Sequence, residues 1–220
     1  MDKKNFIAKR AAAYFKPGDV VNLGVGIPGL CSNYAAEGVM FEAENGFVGC
    51  GSEATGLQKL ESFSDASGME FVPVPGGVGI DSSVSFGMIR GGRLDATVLG
   101  ALQVDQEGNL ANWSLPGRVF GMGGAMDIVN GTKKVIVAME LCNKKGESKL
   151  VKHCTLPLTG KHCVDHIVCE YGVIDVTEHG LEVVELAEGV TKEDFVALVS
   201  ADITFSENLK IMNEDMNEEL

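Results

Sequence analysis

Val20-Val21-Asn22-Leu23-Gly24-Val25-Gly26-Ile27-Pro28-Gly29 runs from a short apolar stretch, interrupted by one asparagine, straight into three closely spaced glycines. The β-branched start predicts a strand over residues 20–23, the glycines a tight turn, and residues 30–36 a short helix. A second strand is expected at residues 39–42. Strand, glycine turn, helix and strand in that order is the grammar of a parallel α/β unit, because parallel neighbours need a crossover between them.

Working outward, Phe6, Ile7, Ala11, Tyr14 and Phe15 recur at helical spacing, and Lys16-Pro17-Gly18 stops the pattern, so residues 3–15 are expected to be helical. Further strands are expected at residues 71–74, 96–99, 135–139, 167–168, 173–174, 181–186 and 203–205. Residues 82–89 fit a helix capped by Asp81 or Ser82, and Thr191-Lys192-Glu193-Asp194 opens another in the manner of a capping box. Residues 102–104 and 110–113 flank Gln106-Glu107-Gly108-Asn109 as a hairpin, while 51–67 and 115–124 read as loops. The expected fold class is α/β: a single domain over residues 1–220 with a mixed, largely parallel sheet flanked by helices. An acidic tail over residues 206–220 closes it.

Composition narrows the function classes. A net charge of -13 and a pI near 4.7 argue against nucleic acid, whose phosphates demand a basic face. No apolar run reaches membrane-spanning length, and no apolar signal-peptide core opens the sequence. The six cysteines lack the dense framework of a small secreted domain, so reduced thiols and a cytoplasmic setting are expected. Cys31 and Cys50 lie near the glycine turns, where oxidants are expected to reach them.

Three kinds of chemistry compete for the glycine-rich segments. Gly24-Val25-Gly26-Ile27-Pro28-Gly29 matches a dinucleotide-binding fingerprint, with Glu42 and Glu44 about twenty residues on. Against this oxidoreductase reading, Pro28 intrudes before the third glycine, and Glu44 precedes Asn45-Gly46, a turn signal, instead of closing an apolar strand. His153, Cys154, His162, Cys163, His166 and Cys169 suggest zinc, yet no Cys-x-x-Cys pair occurs, so structural thiols and no metal are expected. The serine-nucleophile signature Gly-x-Ser-x-Gly is absent. What remains is Glu44, a carboxylate at a strand end, read as a nucleophile among glycines that let backbone approach a ligand.

Several longer motifs point the same way. They are Asn22-Leu23-Gly24-Val25-Gly26-Ile27-Pro28, Glu44-Asn45-Gly46, Ile89-Arg90-Gly91-Gly92, Leu99-Gly100-Ala101-Leu102-Gln103-Val104-Asp105, Gly121-Met122-Gly123-Gly124-Ala125-Met126-Asp127 and Cys154-Thr155-Leu156-Pro157-Leu158-Thr159. In that order the chain resembles the β subunit of class I coenzyme A transferases of the 3-oxoacid type, from about Phe6 to Phe205. The resemblance implies that Glu44 is the nucleophile of a ping-pong reaction through a glutamyl-CoA thioester. Ala43 stands where that family usually has serine. By the same likeness Asn22 and Gly124 join Glu44 as catalytic candidates. Gly24, Gly26, Asn45, Gly46, Gly123 and Ala125 are the candidate substrate- or CoA-binding positions.

Coenzyme A is then a substrate, with no permanently bound cofactor. An α subunit in an αβ or α2β2 assembly is implied, and acetoacetate, butyrate or acetate is the carboxylate partner. A 3-oxoadipate or other dicarboxylate transferase is the alternative within the family; it would want a further cation, for which Arg90 is available. Val25, Ile27, Phe47 and Met122 are expected to exclude water.

Overall fold

Asp2 accepts hydrogen bonds from the backbone N–H groups of Lys4 and Asn5, and so starts α1 (Lys3–Ala12), which buries Ile7, Ala8 and Ala11. The computed structural model describes residues 1–56 and 63–213. After α1 come β1 (Val20–Leu23), α2 (Ile27–Leu30), β2 (Met40–Ala43), β3 (Phe47–Glu53), β4 (Phe71–Gly79) and α3 (Ser82–Arg90). Next are β5 (Ala96–Leu99), β6 (Gln103–Asp105), β7 (Leu110–Ala111), β8 (Ser114–Leu115), β9 (Arg118–Val119), α4 (Ala125–Gly131) and β10 (Val135–Ala138). The remainder is β11 (Leu150–Val151), β12 (His166–Cys169), β13 (Gly172–Thr177), β14 (Gly180–Ala187), α5 (Lys192–Leu198) and β15 (Ile203–Met212).

The main sheet has ten strands in the order β15-β14-β13-β12-β10-β5-β1-β2-β3-β4. Its centre, β12-β10-β5-β1-β2, is parallel throughout, and β3, β4, β13 and β14 extend it antiparallel on either side. Every residue of β5 and β10 is buried, as expected of strands covered on both faces. One face packs Val21, Val98 and Ile136 against α1; the other packs Leu99, Val135 and Val137 beneath α3 and α4. A buried bidentate pair ties α1 to β14 of the same sheet, with Arg10 Nε 2.8 Å from Glu185 Oε2 and Nη2 2.7 Å from Oε1.

Several sequence-based expectations change. The helix after the glycine turn begins at Ile27 and not at residue 30, with Pro28 in its first turn, where a missing N–H costs nothing. The strand broken at Pro75-Gly76-Gly77 is continuous as β4; it lies at the sheet edge, where proline leaves no ladder bond unmade. β3 extends through Glu53 into the region read as loop, and α4 was not foreseen. Residues 206–212, expected in a solvated tail, form the second half of β15, and Lys210, Ile211 and Met212 pair with β14. Residues 214–220 lie outside the described part. Among the described residues no helix is long and apolar enough to cross a membrane.

Candidate active site

The chain leaves β1 towards β2 on one side and later returns to lay β5 on the other side of β1. Strand order therefore reverses at β1, and in open α/β sheets ligands bind at such a point beyond the carboxyl ends of the strands. A cavity of about 530 Å³ opens there, bounded by Leu23 and Gly24 at the end of β1, by Ala43 and Glu44 at the end of β2, and by Leu99 of β5.

Parallel register builds its polar floor. Asn22 pairs with Glu42 across β1–β2 and with Thr97 across β1–β5, so three polar side chains stand in a row on an otherwise apolar face. Asn22 is 2% exposed and Glu42 is 4% exposed. Asn22 Nδ2 donates to Glu42 Oε2 at 3.0 Å and to Glu44 Oε2 at 3.2 Å, and Thr97 Oγ1 donates to Asn22 Oδ1 at 3.3 Å. From above, Ser85 of α3 donates to Glu42 Oε1 at 2.6 Å. Burial pushes the Glu42 carboxyl above its usual range and the nearby Glu44 charge adds to this, while the bonds from Ser85 and Asn22 act against it.

Glu44 itself sits where the β2–β3 hairpin turns. Gly46 N–H closes the turn on Ala43 O at 2.9 Å, and of Asn45 and Gly46 only Gly46 takes a positive angle, at φ 120. Gly124 lies against Glu44, because a Cβ there would come 3.2 Å from Glu44 Cγ and 3.0 Å from the Phe86 ring. Glycine is what lets this backbone approach the carboxylate.

Of the positions picked out from sequence, the structure gathers Asn22, Gly24, Gly26, Glu44, Gly123, Gly124 and Ala125 around one cavity. Asn45 and Gly46 do not line it. Asn45 Nδ2 donates to Ser64 O at 2.9 Å, and Gly46 O accepts from Ile80 N–H at 2.9 Å, so both hold the turn. Val25 and Met122 are at the cavity wall, whereas Phe47 packs with Phe63 and Phe71 in a separate apolar cluster and Ile27 is half-buried away from it. Glu42, Ser85 and Thr97 were missed as site residues. For Glu42 and Thr97 the one signal was a polar residue inside an apolar strand, which demands a partner when buried; Ser85, on α3, gave no such signal.

The competing chemistries fare poorly. The helix following the glycine turn is four residues long, and Glu42, which a ribose hydroxyl would need, is spent on Ser85 and Asn22. His162 Nδ1 meets Glu107 O at 3.0 Å, His166 Nδ1 meets Asp175 Oδ1 at 2.7 Å, and Cys154 Sγ points to Asn109 O, so these groups face separate partners. Cys31 and Cys50 are buried, which pushes both thiols up to about 12 and leaves neither as a ready thiolate.

A carboxylate-floored cavity at the switch point of an open sheet defines a ligand-handling α/β domain. The sequence pattern of the family described as coenzyme A transferase matches residues 4–198. The beta chain of the Escherichia coli K12 acetate CoA-transferase is 46% identical over 192 residues, 86% of this chain and 88% of that one. The corresponding polypeptide of the Helicobacter pylori J99 succinyl-CoA:3-ketoacid coenzyme A transferase is 46% identical over 192 residues, 84% of this chain and 90% of that one. An acyl-CoA transferase apoenzyme from Escherichia coli O157:H7 superposes with a TM-score of 0.79 at 23% identity, over 96% of this chain and 43% of that one. The chain belongs to the coenzyme A transferase family, as a β subunit of its class I enzymes.

Proposed function

We propose that this chain is the glutamate-bearing subunit of an enzyme that moves coenzyme A between a short-chain acyl-CoA and acetoacetate, butyrate or acetate. It works in the cytoplasm with an α subunit, as an αβ or α2β2 assembly. The observation that carries this reading is Glu44, set at a strand end inside the cavity with Asn22 Nδ2 on its Oε2 and Gly124 against its Cγ.

In the proposed reaction a Glu44 oxygen attacks the thioester carbonyl carbon. The C–S bond breaks, giving an acyl-glutamyl anhydride and the CoA thiolate. The thiolate then attacks the glutamyl carbonyl, the first acid departs as its carboxylate, and glutamyl-CoA remains; a second carboxylate reverses both steps. Each tetrahedral oxyanion needs donors already in place, worth about 3 kcal/mol apiece by analogy with other acyl transfers. Asn22 Nδ2 and the Gly124 backbone N–H are assigned that work, while Val25 and Met122 help keep water from the anhydride.

Charge supports a partner. Glu42, Glu44, Glu53 and Asp65 line the cavity and, among the described residues, no Lys, Arg or His does. This supports a reading in which cations of another chain help to hold the phosphates of coenzyme A. The dicarboxylate alternative gains nothing from Arg90, which bonds Asp127 Oδ1 at 2.7 Å and stacks on Phe86 outside the cavity wall. Initial rates of the reconstituted complex, with acyl-CoA and acceptor acid varied together, are expected to give parallel double-reciprocal lines. Intersecting lines would mean direct transfer and would overturn the covalent route.

A further inference from the structure

Asn22 Nδ2 reaches two carboxylates at once, 3.0 Å to Glu42 Oε2 and 3.2 Å to Glu44 Oε2. A side-chain amide has two N–H bonds, and the third acceptor in reach, the Glu42 backbone oxygen, is farther off at 3.4 Å, so the two carboxylates are the better-placed partners. On its other side Oδ1 accepts from Thr97, which makes the flipped amide unfavourable because it would set oxygen against two carboxylates. Glu42 is enclosed by Asn22 and by Ser85 Oγ at 2.6 Å. A buried carboxyl beside a second one, bonded by neutral donors, costs stability, which calls for a compensating role.

We infer that Glu42 is a positioning residue for the transfer chemistry, pinning the Asn22 amide so that one N–H stays aimed at the Glu44 carboxyl through every step. The inference rests on Glu44 being the nucleophile. Glu44 cannot do this pinning itself, since its charge disappears on acylation and one of its two oxygens leaves with the departing acid. Glu42 takes no part in bond making, so its oxygens stay in place from one half-reaction to the next. Asn22 thus meets each oxyanion already oriented, which is where preorganised donors act.

The test measures how fast CoA becomes attached to the Glu44 peptide after wild-type or variant complex is mixed with acetoacetyl-CoA. Glu42→Leu is expected to slow attachment and kcat by about a hundredfold, with KM for the acyl-CoA changed by less than about threefold. Glu42→Gln can turn its oxygen to Asn22 and its amide to Ser85, and is expected to recover to within about tenfold of wild type. Should Glu42→Leu fail to fold, Ser85→Ala decides: a drop in kcat of about tenfold at constant KM supports the role, and an unchanged kcat overturns it. Attachment at the wild-type rate in folded Glu42→Leu overturns the role of Glu42 and leaves Glu44 as the nucleophile. Wild-type turnover with no CoA on Glu44 overturns the nucleophile reading, and the inference with it.

Discussion

Glu44→Gln and Glu44→Ala are expected to leave less than about one per cent of wild-type turnover in the reconstituted complex, since losing a covalent nucleophile removes the reaction path itself. Folding should survive. Glu44 is only half-buried and lies in a turn closed by the Ala43–Gly46 backbone bond, and glutamine can still accept from Asn22. The loss should fall on kcat, with complex assembly and acyl-CoA binding retained, which binding assays on the same protein can check. Folded Glu44→Gln complex turning over at more than a few per cent of wild type would contradict the assignment.

Gly46→Ala should produce the largest change in stability. An added Cβ would land on the Ile80 carbonyl oxygen, far inside van der Waals contact, and the residue would have to hold φ at 120. Strain of that angle costs about 1–2 kcal/mol alone, and a backbone collision adds to it, so a loss above about 4 kcal/mol is expected in urea unfolding. Gly76→Ala separates the two contributions, because Gly76 has φ 87 with open space around it and should show the strain alone. Equal losses at both positions would mean that the hairpin shifts to relieve the contact. Any Gly46→Ala protein that folds should also transfer CoA poorly, since this turn places Glu44.

The parallel core was legible because β10 is an unbroken apolar run and β5 is one interrupted only by Thr97, and burial on both faces leaves such strands little choice. Glu44 was legible because its signal is local, a carboxylate beside a turn. Glu42, Ser85 and Thr97 were not. Their meeting depends on the register of β1 with β2 and β5 and on where α3 crosses, none of which is written in neighbouring residues. Breaker residues misled at β4, where Pro75 and two glycines sit on an edge strand that tolerates them. Charge misled at β15, where the acidic excess that begins at Glu207 suggested a solvated tail; charged side chains are one way an edge strand discourages pairing with another molecule.

The most direct test is to incubate the αβ complex with acyl-CoA in the absence of acceptor acid, digest it, and locate any added mass by fragmentation. The expected result is the mass of coenzyme A less one water on Glu44, lost when an acceptor carboxylate is added and absent from Glu44→Gln. An active complex with no adduct, or with the adduct on another residue, would contradict it.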